Sequence, residues 1–541
     1  MQIKEVKENK KQYMDLLFLA DEQEDMIDRY LDDGQMFVLL DPDPKAECVV
    51  CDLGDGIFEI KNIATDPRAQ GKGYGRKLIE FVMDYYKDRC QEMLVGTGDS
   101  PLTVPFYKKC GFTEHHRVKN FFTDNYDHPI IEAGVQLVDM VYLSRKMGEE
   151  KMNAIVNTKL ILEDSIIFDG AITFENGVIL QMGKASEVQI PEGAEIIDAG
   201  GKYTAPGLID IHNHGGCDFL FYEDPKHCCE FFLAHGETTV LPTFYSSLTA
   251  EKMIEGYKKI KALEETPIGS MIGGLYMEGP YMGSFGSNQK YILWGGPIDK
   301  QEYAPLLQEL AGYAKIWAID PGRPGIEGFM ADVKAADPNA IFTMGHSKAT
   351  AAQCRKVKKY GLKLQTHHND SGKAPGRAQG TMGAGCDEYA LYDPDIYAEL
   401  ICDENGIHVD PELIKMVVRT KGVERIILIT DHMADKDHFT NNEEEGILYG
   451  PDLNYDYEGH LAGSHLTLEN ACRNLMAHSG YGLCHAIRMA TLNPARLLGI
   501  EDQVGSLEPG KKANLIIIDD MIHVDSVFLD GKLVAKNGKL C

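Results

Sequence analysis

From about residue 206 to residue 504 the chain repeats one pattern: a short apolar run stops at a histidine, aspartate or glutamate, and a longer helix-like stretch follows. Leu208-Ile209-Asp210-Ile211 runs into His212-Asn213-His214, Ile272 to Met277 ends at Glu278, and Ile341 to Gly345 ends at His346. Leu362 to Thr366 then ends at His367, and Ile426 to Thr430 ends at Asp431. Stretches such as Glu251 to Glu265 and Pro411 to Lys421 have helical character. Alternating strand and helix over so long a segment predicts the α/β class and a parallel (β/α)8 barrel with outer helices, whose working side chains gather at the carboxyl ends of the strands.

His212 and His214 are two apart on an extended segment, so both side chains leave the same face and can share one metal ion. Glu278, His346 and His367 supply a second set of nitrogen and oxygen ligands, a mixture that suits zinc or ferrous iron. A single such histidine would more often be an ordinary core or surface residue. Five separate strand ends argue against coincidence.

At 541 residues the chain is long for one core, and a domain size of roughly 100 to 200 residues predicts two or three units. A charged, glycine-containing stretch, Arg145 to Lys151, marks a boundary after residue 150. Residues 152–205 read as short β-rich runs broken by turns, for example Ile166-Ile167-Phe168 before Asp169-Gly170. Residues 505–541 have the same texture in Ala513 to Asp519 and Ser526 to Leu529, so a small β-sandwich built from both ends should flank the barrel at 206–504.

The stretch Pro206 to Gly215 resembles the opening motif of the amidohydrolase superfamily, and the order of motifs resembles its N-acetylglucosamine-6-phosphate deacetylase family. The similarity continues through Glu278-Gly279-Pro280, Gly345-His346-Ser347, Thr366-His367, Gly406 to Asp410, Thr430-Asp431, Leu461 to Ser464 and Asn493-Pro494-Ala495. It covers essentially all of residues 152–541. The resemblance implies a TIM-like barrel with a β-sandwich, metal ligands Glu278, His346 and His367, and Asp431 as the acid/base at the metal. The His212/His214 pair implies a second ion. It also implies Asn369, Arg377 and His408 on the amino sugar phosphate, and a homo-oligomer. Asn369-Asp370-Ser371, Tyr276-Met277, Gly286 to Lys290 and Ile319 to Gly322 depart from the family's text, so the expected substrate is N-acetylglucosamine-6-phosphate or a related amino sugar, with a galactosamine derivative, an unphosphorylated sugar and a different N-acyl compound as alternatives.

Residues 1–150 carry a different signal. Ile60 to Ala64 reads as a strand, and Gln70-Gly71-Lys72-Gly73-Tyr74-Gly75 leads into an apolar-periodic helix, Lys77 to Tyr86. Glycines there let a pyrophosphate approach free amides at a helix start. Together with Pro105 to Phe112, this turn resembles the GNAT acetyltransferase family. The resemblance implies acetyl-CoA along Ile63, Gln70, Gly71, Lys72, Gly73, Tyr74, Gly75 and Arg76, with Tyr107 as general acid to the leaving thiolate. Two readings follow: transfer of acetyl to an amine, or a module that senses acetyl-CoA or mediates assembly. A third, a barrel that only captures a ligand, is disfavoured by the complete set of metal-capable residues.

A net charge of −29 disfavours nucleic acid and anionic membrane as partners, since both reward clustered cations. No apolar run approaches the ~18 residues of a membrane span, and the first residues lack a secretory signal, so a cytoplasmic protein is expected. Thirteen scattered cysteines argue for reduced thiols, and Cys48-Val-Val-Cys51 lies in a strand-like run without a second pair, which favours packing over metal binding.

Overall fold

The computed structural model describes residues 2–87, 89–126, 128–132, 134–146, 152–264, 266–283, 292–370, 376, 380–434, 450–455 and 460–541. The chain divides into two compact units, Met1–Glu150 and Lys151–Cys541.

The first unit is built on a seven-stranded sheet in the order Gln2–Val6, Gln35–Leu40, Pro44–Gly54, Ile57–Thr65, Glu92–Gly98, Met140–Lys146, Thr113–Val118. Helix Tyr74–Tyr86 buries Leu78, Ile79 and Val82 against one face, beside Phe37, Cys48 and Ile60. The other face packs Met36, Val38 and Val49 against Leu17, Ile27 and Leu31. Cys48 and Cys51 are both buried free thiols. Strands Ile57–Thr65 and Glu92–Gly98 are parallel, and their pairing runs only from Ile57↔Glu92 to Ile60↔Val95. Beyond that point each keeps a partner on its outer side alone, so the sheet parts in the middle.

In the second unit eight parallel strands follow one another around a barrel: Leu208–Asn213, Glu237–Tyr245, Leu275–Glu278, Ala314–Ile319, Ile341–Met344, Leu362–Gln365, Tyr397–Ile401 and Ile426–Ile429. Each strand precedes one longer helix, from Pro225–Ala234 after the first to Leu468–Ser479 after the eighth. Several of these helices begin where the sequence supplies a cap. Asp224, Thr249, Asp299, Thr350 and Asp410 each accept a backbone N–H of the first turn, and proline occupies the first helical position at Pro225 and Pro411. The first and eighth strands meet at their carboxyl ends, where the amide of Asp431 donates to the carbonyl of His212 at 2.9 Å and the amide of His214 to the carbonyl of His432 at 2.8 Å. Residues of the metal-capable set therefore close the barrel.

The β-rich ends of this unit hydrogen-bond into one continuous nine-stranded sheet whose two ends pack against each other, with the Phe174 and Phe528 rings 5.8 Å apart across the shared core. Strand Tyr203–Pro206 pairs with Leu515–Ile518 and joins the two ends. Ile155, Ile172, Phe174, Leu515 and Phe528 form a core of its own. The turn expected at Asp169-Gly170 is not one, because a strand runs from Ile166 to Glu175. Gly170 passes so close to Leu160 that an added Cβ would sit 2.7 Å from that side chain, and the ladder is irregular there, so this glycine marks a bulge within a strand.

Candidate metal centre

Each of the five strand ends singled out by the sequence delivers its side chain to one buried spot. His212 Nε2 lies 3.9 Å from Glu278 Oε2, and His214 Nε2 lies 3.3 Å from the same oxygen. On the other side of the carboxylate, Glu278 Oε1 is 3.0 Å from His346 Nε2 and 3.3 Å from His367 Nε2. Glu278 is thus common to two groups of three, His212/His214/Glu278 and Glu278/His346/His367, all buried. Asp431 faces the first group, with Oδ1 3.0 Å from His214 Nε2 and 3.4 Å from His212 Nε2.

These separations fit a metal ion. Bonds of about 2.0 to 2.2 Å in tetrahedral geometry hold ligand atoms about 3.3 to 3.6 Å apart. The Nε2 of His212 is fully buried and has no hydrogen-bond partner among the described residues, which is costly unless an electrophile takes its lone pair. Burial works against ionisation of Glu278, yet the imidazoles of His212, His214, His346 and His367 around it outweigh burial and hold the carboxyl well below its usual range.

The backbone is strained where these side chains leave the strands. His346, His367 and Asp431 adopt left-handed φ values of 46°, 24° and 53°. Such conformations cost a non-glycine residue of order 1–3 kcal/mol and tend to collect at working sites. Gly345 permits one of these turns, since a Cβ there would lie 2.7 Å from the Thr366 side chain.

The second tier of contacts fixes the rings. His214 Nδ1 donates to the Thr243 carbonyl at 3.3 Å, His367 Nδ1 lies 3.2 Å from Asp370, and His212 Nδ1 faces Glu399 at 3.1 Å. Tyr276, one of the departures from the family text, stacks obliquely on His212 with ring centroids 4.4 Å apart and shares a hydrogen bond with Thr366 at 2.8 Å. Asp210 lies deeper, accepting from the Thr430 hydroxyl at 2.6 Å, and its carboxyl is pushed up to about 6 by burial.

Of the expected substrate-side residues, Asn369 sits two positions beyond His367 in a left-handed conformation, its amide donating to Asp387. His408 is buried, with Nδ1 3.2 Å from Asp403 and Nε2 3.3 Å from the Gly463 carbonyl. Burial opposes its charged form, but the hydrogen bond to Asp403 and the charges of Asp370, Asp403 and Asp431 outweigh it and raise its pKa. Arg377 and residues 286–290 lie outside the described residues. Glu399 is a site neighbour that the sequence patterns do not single out. A lone carboxylate in the middle of the apolar run Tyr397–Ile401 is the signal that marks it.

In the first unit, Ile63 lies on strand Ile57–Thr65 past the point where the sheet parts, and Gln70 to Arg76 form the turn and first helical residues that follow. Gly71 and Gly73 have φ of 76° and 78°, and a Cβ on either would project into open space. Tyr107, on helix Thr103–Lys109, is buried beside Phe106 and Phe112, and burial pushes its hydroxyl pKa well up.

The amidohydrolase family model matches residues 203–534, which is more than half of the chain. The chain belongs to the amidohydrolase family. An acetyltransferase (GNAT) domain model matches residues 32–114, so the enzyme carries a GNAT domain at its amino-terminal end. The amidohydrolase part is similar to N-acetylgalactosamine-6-phosphate deacetylase of Escherichia coli O157:H7, 28% identical over 386 residues, covering 70% of this chain and 98% of that protein. It is equally similar to N-acetylglucosamine-6-phosphate deacetylase of Bacillus subtilis, 28% identical over 390 residues, covering 67% and 95%. Among solved structures, N-acetylglucosamine-6-phosphate deacetylase from Pasteurella multocida superimposes with a TM-score of 0.62 at 25% identity, covering 71% of this chain and 99% of that one.

Proposed function

We propose that this amidohydrolase removes the acetyl group from an N-acetylated amino sugar 6-phosphate, of the glucosamine or galactosamine series. The observation that carries this reading is the carboxylate of Glu278 standing between two pairs of imidazoles, with Asp431 beside them, in a chain whose relatives are sugar phosphate deacetylases.

His212, His214, Glu278, His346 and His367 would hold one or two divalent ions, zinc or ferrous iron by their donor chemistry. A divalent ion supplies positive charge that polarises the amide carbonyl and lowers the pKa of water beside it. Asp431 then does the proton work: its carboxylate accepts the proton of the attacking water and delivers it to the departing sugar nitrogen. Its backbone is fixed for that task, because its amide is tied to His212 and its carbonyl accepts from the Ser464 amide at 2.8 Å. His408 and Asn369 are the residues proposed to read the sugar phosphate. His408, donating to Asp403 and to a carbonyl, is favoured as an imidazolium, which suits an anion. Acetate release by metal-loaded protein, lost on chelation and restored by added zinc or iron, tests this reading.

The GNAT domain is proposed to transfer acetyl from acetyl-CoA to an amine. Its support is the parted pair of strands beside a glycine turn that opens a helix, an arrangement in which free amides can meet a pyrophosphate. Tyr107 is the proposed proton donor to the departing thiolate. Production of free CoA from acetyl-CoA with a panel of amines separates transfer from sensing.

A further inference from the structure

Glu399 is a carboxylate with no exposure, in the middle of the seventh barrel strand, and no part of the proposed hydrolysis uses it. One of its oxygens, Oε2, meets two different residues of the metal-capable set. It is 3.1 Å from Nδ1 of His212, on the first strand, and it accepts the backbone amide of His367, after the sixth, also at 3.1 Å. The carbonyl of Glu399 accepts the next amide, that of His368, at 2.8 Å.

Oε2 of Glu399 already acts as an acceptor towards the His367 amide, so the His212 nitrogen that faces the same oxygen is placed to donate its N–H to it. The other nitrogen, Nε2, then presents a lone pair. That nitrogen is the one left without a hydrogen-bond partner among the described residues, 3.4 Å from Asp431 and 3.9 Å from Glu278. Two of the other rings have weaker or more open partners, His214 a backbone carbonyl and His367 the partly exposed Asp370.

We propose that Glu399 is a positioning residue that fixes His212 in its metal-ligating tautomer and ties that ring to the backbone turn carrying His367. It deepens the metal reading above and rests on it. A buried carboxylate behind a ligating imidazole raises the basicity of the ring, and loss of such a partner typically weakens metal binding 10- to 100-fold.

The test compares full-length wild type with Glu399→Gln, Glu399→Leu, His214→Ala and the Glu399→Gln/His214→Ala double variant. Bound zinc is counted over a range of buffered free zinc, and the ligand field is read from the absorption of cobalt-loaded protein. Glutamine can still offer one oxygen to both N–H groups, so it removes the charge with little change of shape; leucine removes the acceptor and fills the space. Wild type should bind two equivalents. Glu399→Gln should keep one at wild-type affinity and bind the other 10- to 100-fold more weakly, with a changed cobalt spectrum, and Glu399→Leu should bind it more weakly still. The double variant should lose no more than His214→Ala alone, because both changes act on the same ion. Wild-type affinity for both equivalents in Glu399→Gln overturns the proposal, as does equal weakening of both. Absence of bound zinc from wild type refutes the metal reading itself, a result that needs no variant to recognise.

Discussion

Oδ1 of Asp431 lies 3.0 Å from Nε2 of His214, a contact that joins the eighth barrel strand to the first at the point where the barrel closes. The group proposed to move the proton is therefore anchored by the same closure that gathers the metal-capable side chains.

Replacing Asp431 with asparagine preserves shape and removes the proton acceptor. Acetate release should fall by roughly 10² to 10⁴, the usual worth of general acid–base catalysis, while the bound metal stays near the wild-type amount. Steady-state kinetics together with metal analysis checks this, and retained turnover would remove Asp431 from the role.

Glu278 faces both groups of imidazoles, whereas His214 faces one. Glu278→Ala should therefore strip the protein of all tightly bound divalent metal, and His214→Ala should cost no more than one equivalent. Equal losses in the two variants would show that the carboxylate is not shared.

Much of this site is legible in the amino-acid sequence. The five strand-ending residues stand out because a parallel barrel places the carboxyl end of every strand on one rim, so a run that stops at a metal-capable residue announces its own position. Helix Pro411–Lys421 begins and ends where expected, with Asp410 as its cap and Gly422 after it. Glu399 is harder to find because it lies inside an apolar run rather than at its end, and that position gives no hint of which ring it meets across the barrel. Barrel closure is equally hidden, since it consists of backbone bonds between Asp431, His212, His214 and His432 that leave no periodic trace. At Asp169-Gly170 a dipeptide typical of turns occupies a bulge, because the close approach of Leu160 decides what that glycine is for.

In the GNAT domain, Glu47 is fully buried on strand Pro44–Gly54, neither of its carboxylate oxygens has a hydrogen-bond partner among the described residues, and burial pushes the carboxyl up to about 8. Between its unfolded value, near 4.5, and about 8, the folded state keeps a proton that the unfolded state has lost. Stability of this domain should therefore fall as pH rises through that window and level off above it, by an amount on the order of a few kcal/mol. Glu47→Gln should flatten the slope and raise stability at pH 8 relative to wild type. Pulse proteolysis in urea across this pH range reads the effect, and an unchanged slope would mean that Glu47 is ionised in the folded protein.

Tyr107→Phe should leave acetyl-CoA affinity unchanged and lower acetyl transfer by roughly 10² to 10⁴ if its hydroxyl protonates the thiolate. Isothermal titration with acetyl-CoA, set beside the rate of CoA release, separates binding from turnover. Full activity in the variant would assign Tyr107 to packing against Phe106 and Phe112.

The most direct measurement is acetate release by the metal-loaded full-length protein from N-acetylglucosamine-6-phosphate, N-acetylgalactosamine-6-phosphate and the two unphosphorylated sugars. Cleavage of at least one phosphorylated sugar, in preference to its unphosphorylated counterpart and abolished by chelation, is the expected result. A protein that holds its metal and releases acetate from none of the four would contradict the proposed deacetylation.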